Sequence, residues 1–383
     1  YQRAIMDAVN DARCEDIIIM SSAQVGKTEL ILNIIGYYID YDPSPILALQ
    51  PTLEMAQTFS KDRLAPMLRD TPALKGKVKD ARSRDSGNTI LHKTFPGGHI
   101  TMVGANSAAG LASRPIKVVL MDEVDRYPAS AGTEGDPIKL AEKRTTTFWN
   151  RKKIKVSTPT IKGRSPIEKE FLTSSMEEWN VPCPCCGKYQ PYEWGRIHFS
   201  DVTMECKFCL EHISERDWKS NPGKWVAAKE NNKKRGFHLN ELASPWKHWE
   251  EIIEDFKEAD RDRKQGDIEK LKTFVNTALG EPWEERGEAA DDNVLLSRRE
   301  RYNADLPDGV LLVTAGVDVQ DDRFEVEITG WGKGYESWGI LYKKIKCNLE
   351  QEEAWDKLEQ FLDTELYFEN GNSLLIAATC IDT

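Results

Sequence analysis

The sequence predicts an α/β protein of several domains: a parallel-sheet domain, a small cysteine-stapled insert with a linker, and the first part of a second, mostly antiparallel α/β domain. Three observations carry this. A Gly-Lys-Thr sits between an apolar strand and a helix pattern near the start, two cysteine pairs lie mid-chain, and a meander of strands marked by acids closes the chain. At 383 residues the chain exceeds what one hydrophobic core serves.

Tyr1-Gln2-Arg3 leads a short amphipathic helix over 4–12, and Asp16-Ile17-Ile18-Ile19-Met20 reads as a buried strand. Next comes SSAQVGKTEL, residues 21–30, where Ser22, Ala23, Gln24, Val25, Gly26, Lys27 and Thr28 form a phosphate-binding loop entering a helix. Backbone N–H groups and the helix N-terminus suit phosphate, Lys27 reaches the β/γ-phosphates of ATP, and the Thr28 hydroxyl suits Mg²⁺. Ser21 stands where such loops usually open with Gly. Gln2, one helix upstream, is a candidate reader of the adenine edge, against the plainer reading of an exposed helix-start Gln. Ile46 to Thr52 reads as a second strand, ending in Gln-Pro-Thr, 54–67 as a helix, and 94–103 as a hairpin pivoting on Pro96-Gly97-Gly98. The apolar run Ile116 to Met121 ends in Asp122-Glu123 about 95 residues after the loop. Hydrolysis needs this pair opposite a phosphate loop, with Asp122 holding Mg²⁺ and Glu123 polarising the attacking water. The strand 153–156 ends in Ser157-Thr158-Pro159-Thr160, either a γ-phosphate-sensing coupling segment or a Pro-capped Ser/Thr turn. Arg114, just before the acidic strand, is a candidate arginine finger, although most arginines at such places are not.

Five of the eight cysteines fall within 27 residues, which points to metal rather than disulfides. Cys183 and Cys186, then Cys206 and Cys209 after 19 intervening residues, have zinc-ribbon spacing, with four thiolates holding one Zn²⁺. Cys185 reads as a bystander. Residues 221–285 mix aromatics with charge and read as a connecting subdomain, with a helix over 249–271, and 287–307 reads as a linker. The aromatics read most simply as core, with DNA stacking as the alternative.

From Val310 three strands meander, followed by a helix over 352–363 and a strand from 374 reaching Asp382. Asp318 near the end of the first strand and Asp382 at the end of the last would lie side by side, ligating two Mg²⁺ or Mn²⁺ ions for phosphodiester cleavage. A carboxylate in so apolar a strand as that of Asp318 is costly unless something charged faces it. The competing reading has both acids merely ending strands. Two acids are too few, so further ones are expected beyond Thr383, and both chain ends read as cuts through a larger protein.

A net charge of −11 excludes a protein coated in basic surface, so any DNA contact is local. The runs 151–155 and 233–235 are candidates, though such runs also serve as solvated loops. No apolar run is long enough for a membrane span.

With SSAQVGKTEL, VVLMDEVDRYP, KVSTPT, CPCCG…CKFC, FVNTALGEPWEE and GVDVQDDRFEVEITGWG in order, the chain resembles the large terminase subunits of tailed phages, of the lambda A-protein (GpA-like) type. The resemblance implies a RecA-like P-loop ATPase over 1–178, a zinc-ribbon module over 179–220, a connecting subdomain over 221–307 and the start of an RNase-H-like nuclease over 308–383. It implies catalysis by Lys27, Glu123, Asp318 and Asp382, nucleotide and Mg²⁺ binding by Gln2, residues 22–28 and Asp122, and coupling by Ser157 and Thr158. The looser loop opening with Ser21 is similar to that of the family. Implied partners are double-stranded DNA, a small terminase subunit, a portal protein and further copies of the chain, with no membrane, in the cytoplasm of the infected bacterium. The runner-up is a P-loop DNA translocase without nuclease activity. It requires a second RecA-like domain, and no such strand–helix repeat is visible between Cys209 and Pro307. A binding scaffold with dead sites conflicts with an intact Lys27, Asp122 and Glu123.

Overall fold

Strands that are apolar at every position need cover on both faces, and the first part of the chain supplies it. The computed structural model describes residues 1–78, 88–112, 114–285, 303–320, 322–347 and 351–382, in two compact units, Tyr1–Glu285 and Arg286–Thr383. Most of the stretch read as a linker, 287–307, lies outside the described residues.

In the first unit, β1 (Asp16–Ser21), β2 (Ile46–Gln50), β3 (His92–Phe95), β4 (Gly98–Gly104), β5 (Val118–Asp122) and β6 (Lys152–Ser157) stand in the order β1-β6-β5-β2-β4-β3. All are parallel except β3, which forms a hairpin with β4. Alternate residues enter two cores. Ile17, Ile19, Leu120 and Ile154 pack with helices Gln2–Asn10 and Lys27–Asp40, while Ile18, Met20, Val119 and Met121 pack with Ile138, Ile167 and Phe171. The loops at the carboxyl ends of β1, β5 and β6 therefore meet along one rim, where open parallel sheets bind ligands. The helix expected over 54–67 runs from Leu53 to Asp70 with a π-helical stretch, Phe59–Leu64, at its middle.

The chain then adds β7 (Glu177–Pro182), β8 (Tyr189–Pro191), β9 (Ile197–His198), β10 (Thr203–Glu205), β11 (His212–Ser214), β12 (Lys224–Ala227) and β13 (Lys234–Leu239). β13 lies parallel to β1 on the side away from β6, and β7 lies parallel to β13. The segment read as connecting thus supplies two strands, β12 and β13, to the main sheet. β13 escapes notice in the sequence because its outer half is charged. In the structure those charges are paired: Arg235 forks onto Glu177 at 2.7 and 2.6 Å, and Lys234 reaches Glu170 at 2.6 Å. The cysteine module shares a core with the helices C-terminal to it, as Val181, Met204 and Trp218 cluster with Trp249, Ile252, Ile253 and Phe274. The helix expected over 249–271 stops at Lys264, turns through Gly266 at φ +96°, and resumes at Glu269.

In the second unit, β14 (Leu312–Gln320), β15 (Arg323–Trp331) and β16 (Ser337–Lys346) form an antiparallel meander, β17 (Leu366–Tyr367) and β18 (Ser373–Leu374) pair separately, and β19 (Ile376–Asp382) lies parallel to β14. The order is β16-β15-β14-β19. Val313, Ala315, Val317, Phe324, Val326 and Ile328 pack with Ala354 and Leu358 of helix Glu352–Leu362. Period-2 alternation sends Asp318 to the opposite face, where it is exposed. The burial cost expected for its carboxylate is therefore not incurred. Among the described residues no helix is long and apolar enough to cross a membrane.

Candidate functional site

The loop after β1 is shaped by backbone that few residues adopt. Gly26 has φ +84° and Gln24 φ +55°. A Cβ on Gly26 would lie 2.5 Å from Gln2 Nε2, the movable end of a flexible side chain, and 3.6 Å from the Trp246 indole, so glycine is favoured here by its φ rather than by space. Gln2 Nε2 donates to the Gly26 carbonyl at 3.4 Å, and the Tyr1 hydroxyl to the Val25 carbonyl at 3.1 Å. From the far side, Ser22 N donates to Leu239 O at 2.9 Å and Ala23 N to Thr277 O at 2.7 Å. The loop is thus held by the N-terminal helix, by β13 and by the π-helical turn Val275–Leu279.

Helix Lys27–Asp40 presents Lys27 at its first position, its ammonium hydrogen-bonded to Thr158 Oγ1 and 3.8 Å from Glu123 Oε1. Burial lowers the Lys27 pKa, and Glu123 and Asp122 oppose that by favouring the charge. Asp122 ends β5, buried, and accepts from Gln50 Nε2 at 3.1 Å. Burial pushes its carboxyl up to about 6 against the Gln50 hydrogen bond, with Glu123 adding to the rise and Lys27 opposing it. Glu123 holds a left-handed backbone, φ +53°, with its carboxylate 3.8 Å from the Lys27 ammonium. A buried lysine, a hydroxyl and two carboxylates converging beside a glycine-turned loop are a donor set that fits a nucleotide phosphate with a hard divalent cation.

Asp125 was not singled out in the sequence, yet it is the hub of this rim. Its N–H donates to Ser157 Oγ at 3.2 Å, Oδ2 accepts from Thr160 N and Oγ1 at 2.9 and 2.8 Å, and Oδ1 accepts from Ile167 N at 2.9 Å. Gln50 was visible as the polar end of an apolar strand. Thr277 and Gly280 gave no such signal. Arg114 is exposed, and among the described residues no contact ties it to this rim.

The cysteine cluster is built by two turns. Cys183 Sγ lies 3.7 Å from Cys209 Sγ and Cys186 Sγ 3.8 Å from Cys206 Sγ, with all four within 4.8 Å of one another. Zinc–sulfur bonds of about 2.3 Å place tetrahedral sulfurs about 3.8 Å apart, so the four fit the ion. Backbone N–H groups of Cys186 and Phe208 point at Cys183 and Cys206 at 3.5 and 3.4 Å. Cys185 is exposed and outside the group.

In the second unit Asp318 is the direct register partner of Asp382 on β19 and of Glu325 on β15. The three carboxylates border an open groove of about 500 Å³ with Glu327 and Tyr342. Neighbouring strands lie about 4.8 Å apart, a spacing that lets Asp318 and Asp382 share cations. Glu325, absent from the sequence reading, is engaged otherwise: Tyr342, Arg323 and Lys344 hydrogen-bond its carboxylate and hold it at about 2.

The basic runs considered for DNA are largely paired with acids. Arg151 and Lys153 pair with Glu15, Lys155 with Glu142, Lys234 with Glu170, and Arg235 with Glu177.

Comparison with known proteins bears on both units. Residues 1–225 match the family model of the phage terminase large subunit gpA ATPase domain, and residues 234–383 that of the terminase large subunit gpA endonuclease domain. The second match begins at β13, which the structure places in the first unit's sheet. The chain is 29% identical to the terminase large subunit of Escherichia phage lambda and 30% identical to that of Enterobacteria phage P21, over all of this chain and 64% of each relative. Among solved structures it is similar to the HK97 bacteriophage large terminase, with a TM-score of 0.49 and 13% identity over 94% of this chain and 65% of that one. The large terminase ATPase domain of Thermus phage P74-26 gives a TM-score of 0.41 and 13% identity over 72% and 92% of the two chains. The chain spans about 64% of the length of the curated relatives it matches.

Proposed function

The chain belongs to the gpA family of phage terminase large subunits, and from that membership we propose that it is an ATP-driven DNA-packaging motor joined to a metal-dependent endonuclease. The observation that carries the motor is the Lys27 ammonium, set between Glu123 and Thr158 at the mouth of the loop. Lys27 neutralises charge developing on the γ-phosphate, and Glu123 orients the attacking water. Asp122 and the Thr28 hydroxyl would hold Mg²⁺, which when bound neutralises phosphate charge. Loss of the γ-phosphate alters what Lys27 contacts, and Thr158, already bonded to it, passes the change to Ser157 and Asp125.

Asp318 and Asp382 would hold the Mg²⁺ or Mn²⁺ ions that clamp the attacking and leaving oxygens of a phosphodiester. Their register pairing supports this reading over a translocase without nuclease activity. Cys183, Cys186, Cys206 and Cys209 would hold a structural Zn²⁺. The substrate is concatemeric double-stranded DNA, and a small terminase subunit, a portal and further copies of the chain are the partners, in the cytoplasm of the infected bacterium.

ATP turnover and plasmid nicking by the full-length subunit test both activities. Lys27→Ala should abolish turnover and Glu123→Gln slow it by about 100-fold or more while nucleotide still binds. Asp318→Asn should lose nicking in Mg²⁺ or Mn²⁺ and keep ATPase activity. Wild-type turnover in Glu123→Gln, or undiminished nicking in Asp318→Asn, would overturn the corresponding assignment.

A further inference from the structure

The three-stranded sheet β11-β10-β9 has two unlike faces. Ile197, Met204 and Ile213 turn inward to the shared core. Their neighbours His198, Glu205 and His212 turn outward by strand alternation, one from each strand. His198 lies opposite Thr203 and His212 opposite Glu205, which puts both imidazoles beside the Glu205 carboxylate. Nε2 of His198 is 3.8 Å and Nε2 of His212 3.9 Å from the same atom, Glu205 Oε2. The two rings are 3.8 Å apart, centroid to centroid.

We infer that His198, Glu205 and His212 form a second metal site, distinct from the four cysteines, for a divalent transition ion of the Zn²⁺ class. Three facts converge on it. The three ligand atoms lie within 4.8 Å of one another, and ligand bonds of about 2.0–2.1 Å bring tetrahedral donors to about 3.3 Å, a closure of roughly half an ångström for each imidazole toward Glu205 Oε2. Arg196 Nη1 takes the other oxygen, Glu205 Oε1, at 2.8 Å and so turns Oε2 toward the imidazoles, while Glu193 offsets the guanidinium at 2.9 Å. Asp201 Oδ2 stands 3.9 Å from Nδ1 of His212, beyond hydrogen-bond length, on the side from which a carboxylate drawn in on metal binding would favour the Nδ1–H tautomer and leave Nε2 to ligate.

Two imidazoles and one carboxylate select Zn²⁺, Ni²⁺ or Cu²⁺ over Mg²⁺ or Ca²⁺. The ligands are partly exposed, so the site keeps an open position and exchanges its ion more readily than a closed thiolate site. Because each ligand comes from a different strand, the ion clips together a sheet whose strands are only two or three residues long.

Zn²⁺ alone, titrated against a chromophoric chelator into the full subunit after desalting, tests the inference. Wild type should take up one equivalent more than His198→Ala/His212→Ala, and Glu205→Gln and Asp201→Asn should each weaken that equivalent by about 10-fold or more. In imidazole proton spectra His198 and His212 should shift together on Zn²⁺ addition while the other four histidines stay put. Glu205→Gln keeps the shape of the side chain, so a folding defect in the double variant does not leave the outcome open. Equal uptake by wild type and the double variant, or unmoved His198 and His212 resonances, would overturn the site.

Discussion

Gly280 is the position where one methyl group should reach the nucleotide loop. It follows the π-helical turn with φ +65°, and a Cβ there would lie 2.5 Å from Ser22 N and 2.8 Å from Ser21 C. These are backbone atoms of the strand end and loop, so no side chain can swing aside. Gly280→Ala carries a left-handed penalty of about 1 kcal/mol and overpacking of about 1–3 kcal/mol, hence about 2–4 kcal/mol in all. It also moves the loop off the Leu239 and Thr277 carbonyls that position Ser22 and Ala23. Displacements of about 1 Å at a reacting centre cost on the order of 100-fold in rate. Gly132 is the control, with φ +59° and nothing within 4 Å of its Cβ position. Gly132→Ala should show the backbone penalty alone, with normal turnover. Urea unfolding and steady-state ATP hydrolysis on both variants separate strain from collision. Equal ATPase rates in the two variants would refute the claim that Gly280 acts through the loop.

Cys206→Ser should lose the zinc proposed for the four cysteines and expose residues 181–212 to amide exchange, whereas Cys185→Ser should do neither; elemental analysis and hydrogen exchange read both, and a fresh chelator-free preparation without zinc would remove the site. Lys155, 1% exposed, faces Glu142 at 2.5 Å, Glu170 at 3.0 Å and Asp16 at 3.5 Å, so Lys155→Met should cost about 1–3 kcal/mol at pH 7: each half-buried carboxylate loses one ion pair but keeps another, to Lys139, Lys234 or Lys153. Burial alone would raise the Glu170 carboxyl from 4.5, but Lys155 and Lys234 hold it at about 2. Its folded pKa is thus depressed, and the stability it lends is complete above pH 4.5 and lost as pH falls toward 2. The gap between Lys155→Met and wild type in urea midpoint should therefore narrow on acidification, and an equal gap at pH 4 and pH 7 would contradict the pairing.

What the sequence discloses about this fold is what local pattern encodes. β1, β2 and β5 are short apolar runs with a turn signal at one end, and Lys27 follows β1 while Asp122 ends β5 with Glu123 next, the pattern expected of nucleotide hydrolysis. β6 carries Lys152, Lys153 and Lys155 and was readable from the Ser-Thr-Pro that ends it. β13 fails that test because it interleaves Lys234, Arg235 and His238 with Phe237 and Leu239, and its charges are tolerated only once Glu170 and Glu177 are brought alongside. The break at Gly266 was readable as a helix C-terminal glycine inside an otherwise continuous stripe. Asp318 shows the converse. Its pairing with Asp382 was readable from strand order, but its exposure was not, since a run of apolar residues does not say which face of a strand is covered.

The site was legible where chemistry fixes residue type and opaque where tertiary contact does. FVNTALGEPWEE carried resemblance without a stated cause, and the structure supplies one. Thr277 accepts the Ala23 N–H, Gly280 lies against Ser22, and Trp283 N donates to Thr160 O at 2.7 Å while Lys162 N donates to Trp283 O at 2.9 Å. One short segment therefore grips both the phosphate loop and the strand exit that carries Ser157 and Thr158. Asp125 grips the same exit from the acidic side through Thr160. A change at Lys27 that moves Thr158 must strain these bonds together. The coupling proposed for Ser157 and Thr158 would accordingly involve the joined rim rather than those two residues alone.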